Sequence, residues 1–399
     1  MTHDESPPGR YRQLALVAAA ELLGMSLWFT ASAVAEPLRL RWGMTPGAAA
    51  WLTTAVQLGF VAGTALAALG NLADLVPERW LFAVAALAAA GTNAALLLAP
   101  GVETALLARF ATGLLLAGVY PPAMKMVATW FRRRRGLAIG TVVGALTVGK
   151  ATPYLVKALR GTSVEAVVLT ASAGAVLAAG LVATSYRPGP FAFPRRRFSW
   201  RLVGTLLRHR ETTLAIGGYL GHMWELYAMW AWVPAFLAAS LAARGVPAHP
   251  AADWLAFGAI AAGGAGCLWG GWAADREGRE RVVQQALAVS GLCCLAVGFA
   301  WGAPPWALAA VTWIWGFFVV ADSAQFSALV TEVSPQDAVG TALTLQTSLG
   351  FLLTMVTLQL VPALAGAVSW RWAFPLLALG PAVGIAAMRR LATMRRGRG

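Results

Sequence analysis

The chain has 399 residues, of which 58% are hydrophobic and only 12% charged, with a formal net charge of +14. A soluble domain carries about 25% charged residues, so this composition, with a mean hydropathy of +0.64, makes lipid the solvent for most of the chain and excludes an ordinary soluble enzyme. The positive charge does not indicate nucleic acid, because the arginines fall in short runs between apolar stretches.

Twelve apolar segments are predicted at roughly 13–35, 46–69, 80–99, 103–130, 136–158, 164–185, 212–240, 251–273, 282–302, 305–328, 339–365 and 371–388. Their continuous apolar character and length of ~20 residues fit membrane-spanning helices, which close their backbone hydrogen bonds internally. The first segment imitates a secretory leader, but it is too long, contains Glu21 and recurs later in the chain, so it is read as a span. Clusters such as Trp42-Gly43-Met44-Thr45-Pro46, Pro100-Gly101 and Ala303-Pro304-Pro305 punctuate the segments. The longest polar stretch, Tyr186 to Arg210, divides the chain into a first six-helix bundle (1–185), a basic linker (186–211) and a second six-helix bundle with a short basic tail (212–399).

Lys and Arg asymmetry sets the orientation. With the N-terminus inside, 22 of the 31 basic residues fall in cytoplasmic stretches and six outside, while Arg109, Lys125 and Lys150 lie within spans. Both termini are therefore expected in the cytoplasm. The basic linker is expected to rest on anionic headgroups.

The chain also repeats itself. Glu21-Leu22-x-x-Met25-x-x-Trp28 returns as Glu225-Leu226-x-x-Met229-x-x-Trp232, and Gly70-x-x-x-Asp74 returns as Gly271-x-x-x-Asp275. Repetition in register within a membrane chain points to a duplicated helical bundle, an architecture common among transporters.

Together, the two six-helix halves, the basic central linker and the Gly-x-x-x-Asp motif after helices two and eight resemble the major facilitator superfamily, which is a common example of parallel repeats. The sharpest match is Gly271-Trp272-Ala273-Ala274-Asp275-Arg276-Glu277-Gly278-Arg279, similar to the superfamily's G-x-x-x-D-R-x-G-R signature. The first copy keeps Gly70, Asp74 and Arg79 but places Pro77 where the second glycine normally stands. Arg109-x-x-x-Gly113 resembles the family's motif in helix four, and the run Arg132 to Gly140 resembles the start of helix five in anion-carrying, nitrate/nitrite-porter-like branches. Helices two and eight carry no arginine inside their spans, which departs from the nitrate porters.

The signature has a physical reading. Gly70 and Gly271 would let neighbouring helices approach closely. Asp74 and Asp275 would accept from an opposing helix N-terminus, where the dipole is positive, and Arg276 and Arg279 complete the gating motif. Such a latch biases one access state over the other.

Charged groups deep in lipid cost roughly 2.5–3.5 kcal/mol each on insertion scales, so their presence marks a lined cavity. Glu21 and Glu225 each begin an i, i+4, i+7 stripe with Met and Trp. Pseudo-symmetry would place the two stripes equivalently, and the resemblance implies that helices one, four, seven and ten line the cavity. His222, three residues before Glu225, would face the same way, and Asp322 has Gln325 one turn on in helix ten. Carboxylates and an imidazole in a partly dry cavity can load and release a proton, which makes Glu21, Glu225, Asp322 and His222 candidate proton-coupling residues.

The basic groups point to the solute. Lys150 lies about fourteen residues into helix five, near mid-membrane at ~1.5 Å per residue, where it either binds an anion or pairs with an acid such as Glu21. Arg109 offers a planar donor to a carboxylate, and Lys125 is expected to snorkel. Tyr120, Trp224, Tyr227, Trp313 and Trp315 are candidate aromatic walls, and Gln325 a polar contact. Gly136, Gly140 and Gly144 form a small-residue stripe suited to close packing. The three cysteines fall in spans and read as packing residues, and the four histidines show no metal-ligand spacing. With no phosphate-binding G-x-x-x-x-G-K-[ST] loop and no catalytic constellation, no cofactor and no enzymatic activity are expected.

The reading is an all-α secondary transporter of the bacterial inner membrane, monomeric by analogy. It would work by alternating access and move a small anion or zwitterion together with H⁺. Two alternatives stay open: a proton-driven exporter of apolar or cationic compounds, and a membrane receptor or scaffold that retains a transporter fold.

Overall fold

The computed structural model describes residues 7–70, 72–132, 134–161, 163–191 and 199–396. The protein is all-helical across these residues. Eleven segments are long and apolar enough to cross a membrane: α2 (Gly47–Leu69), α3 (Glu78–Leu98), α4 (Val102–Ala128), α5 (Gly136–Arg160), α6 (Val164–Ser185), α7 (Arg210–Ala243), α8 (Ala251–Glu277), α9 (Arg279–Ala300), α10 (Pro305–Val333), α11 (Val339–Ala367) and α12 (Trp370–Arg396). The segment before them, α1, is helical over Arg10–Met25 and resumes over Thr30–Ala33 after a turn at residues 26–29. That interruption leaves its regular part at 16 residues, shorter than the other spans. With α1 included, the twelve segments expected from the sequence are all present as helices.

Three other segments are interrupted; α12 opens on two 3-10 turns, Trp370–Trp372 and Pro375–Ala378, before its α-helical part, Leu379–Arg396. α4 is helical over Val102–Leu116 and again over Tyr120–Ala128, and α10 over Pro305–Ala321 and Ser323–Val333, with Asp322 at the join. Breaks of this kind expose backbone carbonyls and amides, so they are tolerated only where protein groups or a polar cavity satisfy them. Between α6 and α7 a nine-residue helix, Trp200–Arg208, buries Leu206 and leaves Trp200 exposed. Arg195, Arg196 and Arg197 of this linker lie outside the described residues.

Glycines set the closest helix contacts. A Cβ on Gly113 in α4 would collide with the Val56 carbonyl of α2, and one on Gly316 in α10 with the Ala259 carbonyl of α8. Between α5 and α8 a Cβ on Gly140 would stand 2.8 Å from the Cys267 carbonyl, and one on Gly144 2.9 Å from the Gly264 carbonyl. The stripe anticipated on helix five is therefore a close-packing surface, as small residues provide where apolar lipid gives helices no hydrophobic reason to associate. α5 and α8 are joined again by an ion pair, Lys157 Nζ to Asp253 Oδ1 at 3.0 Å, with His249 on the second carboxylate oxygen at 2.8 Å.

Candidate functional site

The site begins with the turn in α1. A helix interrupted in lipid leaves carbonyls without partners. Arg109 of α4 supplies them: Nη1 and Nη2 both donate to the Leu27 carbonyl at 3.2 Å, Nη2 to the Trp28 carbonyl at 2.5 Å, and Nη1 to Asn93 Oδ1 at 3.0 Å. Asn93 is held in turn by Ser172 on α6. This corrects the expectation that Arg109 meets the solute's negative group. Its planar fork is engaged by backbone, and its function here is to hold the α1 turn.

The turn delivers Trp28 to the centre of the molecule. There Lys150 of α5 extends its ammonium to the face of Trp28, 4.0 Å from the ring centroid, with the rings of Tyr227 and Trp230 at 4.6 and 5.0 Å. Its hydrogen bond runs to the Tyr227 hydroxyl at 2.5 Å. No carboxylate makes an ion pair with it among the described residues. Three ring faces around one ammonium form an aromatic cage, in which the ring quadrupoles attract the charge. The cage continues into Phe60 of α2 and Phe351 of α11, whose centroids lie 4.7 Å apart, with Tyr227 5.2 Å from Phe351. Rings from α1, α2, α7 and α11 thus close over Lys150.

Glu21 lies on the regular part of α1, four residues before Met25, where the turn that carries Trp28 begins. It is fully buried, and neither carboxylate oxygen has a hydrogen-bond partner among the described residues. Next to it the Leu22 carbonyl meets Gly149, the residue before Lys150, and Glu21 forms no ion pair with Lys150 among the described residues. The indole N–H groups of Trp28 and Trp230, Gln57 Nε2 and Gln346 Oε1 are also buried without protein partners. Unsatisfied buried polar atoms are rare in native proteins, and their concentration here marks a place for polar occupants.

The second repeat is built differently. Glu225 accepts from Trp315 Nε1 at 2.5 Å, Ser290 Oγ at 3.0 Å and Cys294 Sγ at 3.1 Å. Two residues separate it from Tyr227, so it projects from nearly the opposite side of α7, toward α9 and α10. The expectation that Glu225 shares the cavity with Glu21 is corrected accordingly. His222 lies between α7 and α10, with Nδ1 2.9 Å from Asp322 Oδ1, near enough for an ion pair although off the hydrogen-bonding direction. Both are buried beside the ring of Phe326.

Other expectations are also revised. Trp224 donates to the Leu376 carbonyl and packs on Gly380 of α12, so it is no cavity wall. Trp313 donates to the Leu255 carbonyl of α8. Gln325 accepts from Arg279 Nη1 at 2.6 Å, and Arg279 Nε donates to Glu332 at 2.7 Å, which places Gln325 in the gating network rather than against a solute. Lys125 pairs with Glu78 at the start of α3.

In the gating motif, Gly271 lies against the Gly136 carbonyl, and the Asp275 carboxylate sits at the start of α5, where a Cβ on Gly136 would be 3.1 Å from Oδ1. An anion there meets the positive end of a helix, as anticipated. Arg276 instead stacks on Trp272, 4.0 Å from its centroid. Among the described residues, a Cβ on Gly70 would meet only the Leu66 carbonyl of its own preceding turn. The side chain of Asp74 lies outside the described residues.

The sequence profile of the Major Facilitator Superfamily matches residues 16–249. The chain belongs to the major facilitator superfamily. No curated protein matches it in sequence. Among solved structures it is similar to a point mutant of the nucleoside transporter NupG, with 15% sequence identity, a TM-score of 0.70, and coverage of 96% of this chain and 99% of that chain. At that identity the likeness shows the fold alone. Family and fold together make the chain an integral membrane protein, a transporter rather than an enzyme.

Proposed function

We infer that the protein couples proton movement to transport of a small anion or zwitterion. The observation that carries this reading is Lys150: a buried ammonium in mid-segment, held by ring faces and one phenol, with no carboxylate in contact among the described residues. A lone buried cation is costly and persists where an anion can join it. Glu21 and the His222–Asp322 pair are the proton carriers in this reading, because all three are ionisable side chains buried beside interrupted helices. The bundles at 1–185 and 212–399, joined by the linker at 186–211, would rock about this site in the bacterial inner membrane, with both termini in the cytoplasm and the protein a monomer. Within the superfamily, an anion-carrying branch is the reading that Lys150 and the basic start of helix five favour.

One observation favours a second reading. An aromatic cage around an ammonium also suits a cationic solute, as a proton-driven exporter would require. A nucleoside, the solute named for NupG, would find ring faces here but would leave Lys150 without a counter-charge.

Internal pH in proteoliposomes, with carboxylates, oxyanions, amino acids and lipophilic cations offered in turn, separates these readings. A pH change driven by an anion or zwitterion and lost in Lys150→Met supports the first. Responses confined to lipophilic cations, and retained in Lys150→Met, support the exporter.

A further inference from the structure

Two buried ionisable groups of the first bundle form no ion pair with each other among the described residues. Glu21 holds both carboxylate oxygens without a partner, fully buried. Lys150 has three N–H donors and directs one at the Tyr227 hydroxyl, which leaves two against ring faces. The two groups come from different helices, α1 and α5, which touch where the Leu22 carbonyl meets Gly149, next to each of them in sequence. If they served only to neutralise one another, a direct contact would be the cheaper arrangement, because a separated pair leaves both groups desolvated. Trp28, Tyr227 and Phe351 pack on one another beside the Lys150 ammonium, and the Trp230 ring lies 5.0 Å from it.

The geometry points to a solute that carries both charges on a flat, apolar body: a zwitterion whose ammonium meets Glu21, whose carboxylate meets Lys150, and whose plane stacks on Trp28 and Tyr227. This rests on the transport reading above and narrows its solute class. An anion without an ammonium would leave Glu21 buried and unpaired. A cation without a carboxylate would leave Lys150 in the same position. Only a molecule with both groups satisfies both residues, and a charged partner left without its counterpart in a buried site is what such sites discriminate against most strongly. The ring faces reward planarity, since offset stacking needs a flat partner.

The test is equilibrium binding to the purified full-length protein, which requires no variant for its first step. The probes are L-phenylalanine, L-tryptophan and 4-(aminomethyl)benzoate, zwitterions with short and long charge spacing, set against 3-phenylpropanoate, which lacks the ammonium, and 2-phenylethylamine, which lacks the carboxylate. At least one zwitterion is expected to bind about 30-fold more tightly than either singly charged relative. Glu21→Gln is expected to abolish the preference over the anion and keep that over the cation, and Lys150→Met to do the converse. The inference is overturned if 3-phenylpropanoate binds as tightly as the zwitterions, if Glu21→Gln leaves the preference intact, or if protein with a cooperative melt binds none of the three zwitterions. Proton flux driven by 3-phenylpropanoate without zwitterion binding would remove the inference and keep anion transport. Zwitterion binding without flux of any solute would do the opposite.

Discussion

The Thr354 hydroxyl of α11 donates to Gln57 Oε1 of α2 at 2.7 Å. A second bond, Gln359 Nε2 to the Thr54 hydroxyl at 3.0 Å, lies farther along the same two helices. Both are polar contacts between segments far apart in sequence, and Phe60 meets Phe351 beside them. Gln57 already has one buried amide group without a partner. Thr354→Val removes its remaining acceptor bond at nearly constant volume. This arrangement should lose about 1–3 kcal/mol. Spin-label distances between α2 and α11 should broaden toward longer values; an unchanged distribution would show that the bond does not hold these helices together.

Arg109 is the expected stability centre of the first bundle. Arg109→Met leaves the Leu27 and Trp28 carbonyls and Asn93 Oδ1 without their donor, at about 1–3 kcal/mol for each buried orphan. Arg109→Lys should rescue little, because an ammonium cannot reproduce a planar fork. Melting in detergent tests this directly. A Lys variant as stable as the native protein would mean that charge, not fork geometry, holds the α1 turn.

Gly316→Val should be among the most damaging single changes. Its Cβ would fall on the Ala259 carbonyl, which is backbone and has no rotamer to adjust. Overpacking of this kind costs typically about 1–3 kcal/mol and often more. Gly366→Val offers the contrast, since a Cβ there meets nothing within 4 Å. Comparing expression and melting of the two variants checks the assignment.

Glu225→Gln should lower the melting temperature yet preserve substrate-driven proton flux. A glutamine keeps one acceptor for Trp315 but loses the charge that strengthens all three bonds. Asp322→Asn, which alters the pair with His222, should abolish coupling. If the effects of the two variants are exchanged, Glu225 carries the proton and the assignment made above is reversed.

Much of the architecture was legible in the chain, but less of the site. Apolar length alone located the spans, and the Asp275 motif led to the start of α5. The stripe of Glu21, Met25 and Trp28 presumed one continuous helix, but the regular part of α1 ends at Met25 and Trp28 lies in the turn. Its copy misled, because equal spacing in two repeats does not fix the rotation of each helix about its axis. Glu225 accordingly turns toward Ser290 and Cys294. The turn at Ser26–Phe29 contains neither Pro nor Gly. It is held from outside by Arg109, so no local signal announced it. Phe60, Trp230 and Phe351 were hidden among the many aromatic residues of a membrane chain, with nothing in their spacing to single them out.

The surface that α5 presents to α8 has a mechanical consequence. At Gly140 and Gly144 the contact is backbone against backbone, and one turn on the methyls of Thr147 and Val148 rest over Gly263 and Gly264. Interdigitated helices move by jumps, since each knob must leave one hole before it enters the next. Two faces that meet through glycines and single methyls have only shallow detents. They behave as a journal and its bearing, which can turn through small angles while contact is kept. Load on this joint would fall on its two ends, where Asp275 meets α5 and Lys157 meets Asp253. The joint is thus nearly smooth in the middle and charged at its rims, and a substitution at either end would change how far it turns, whereas one in the middle would change whether it turns at all.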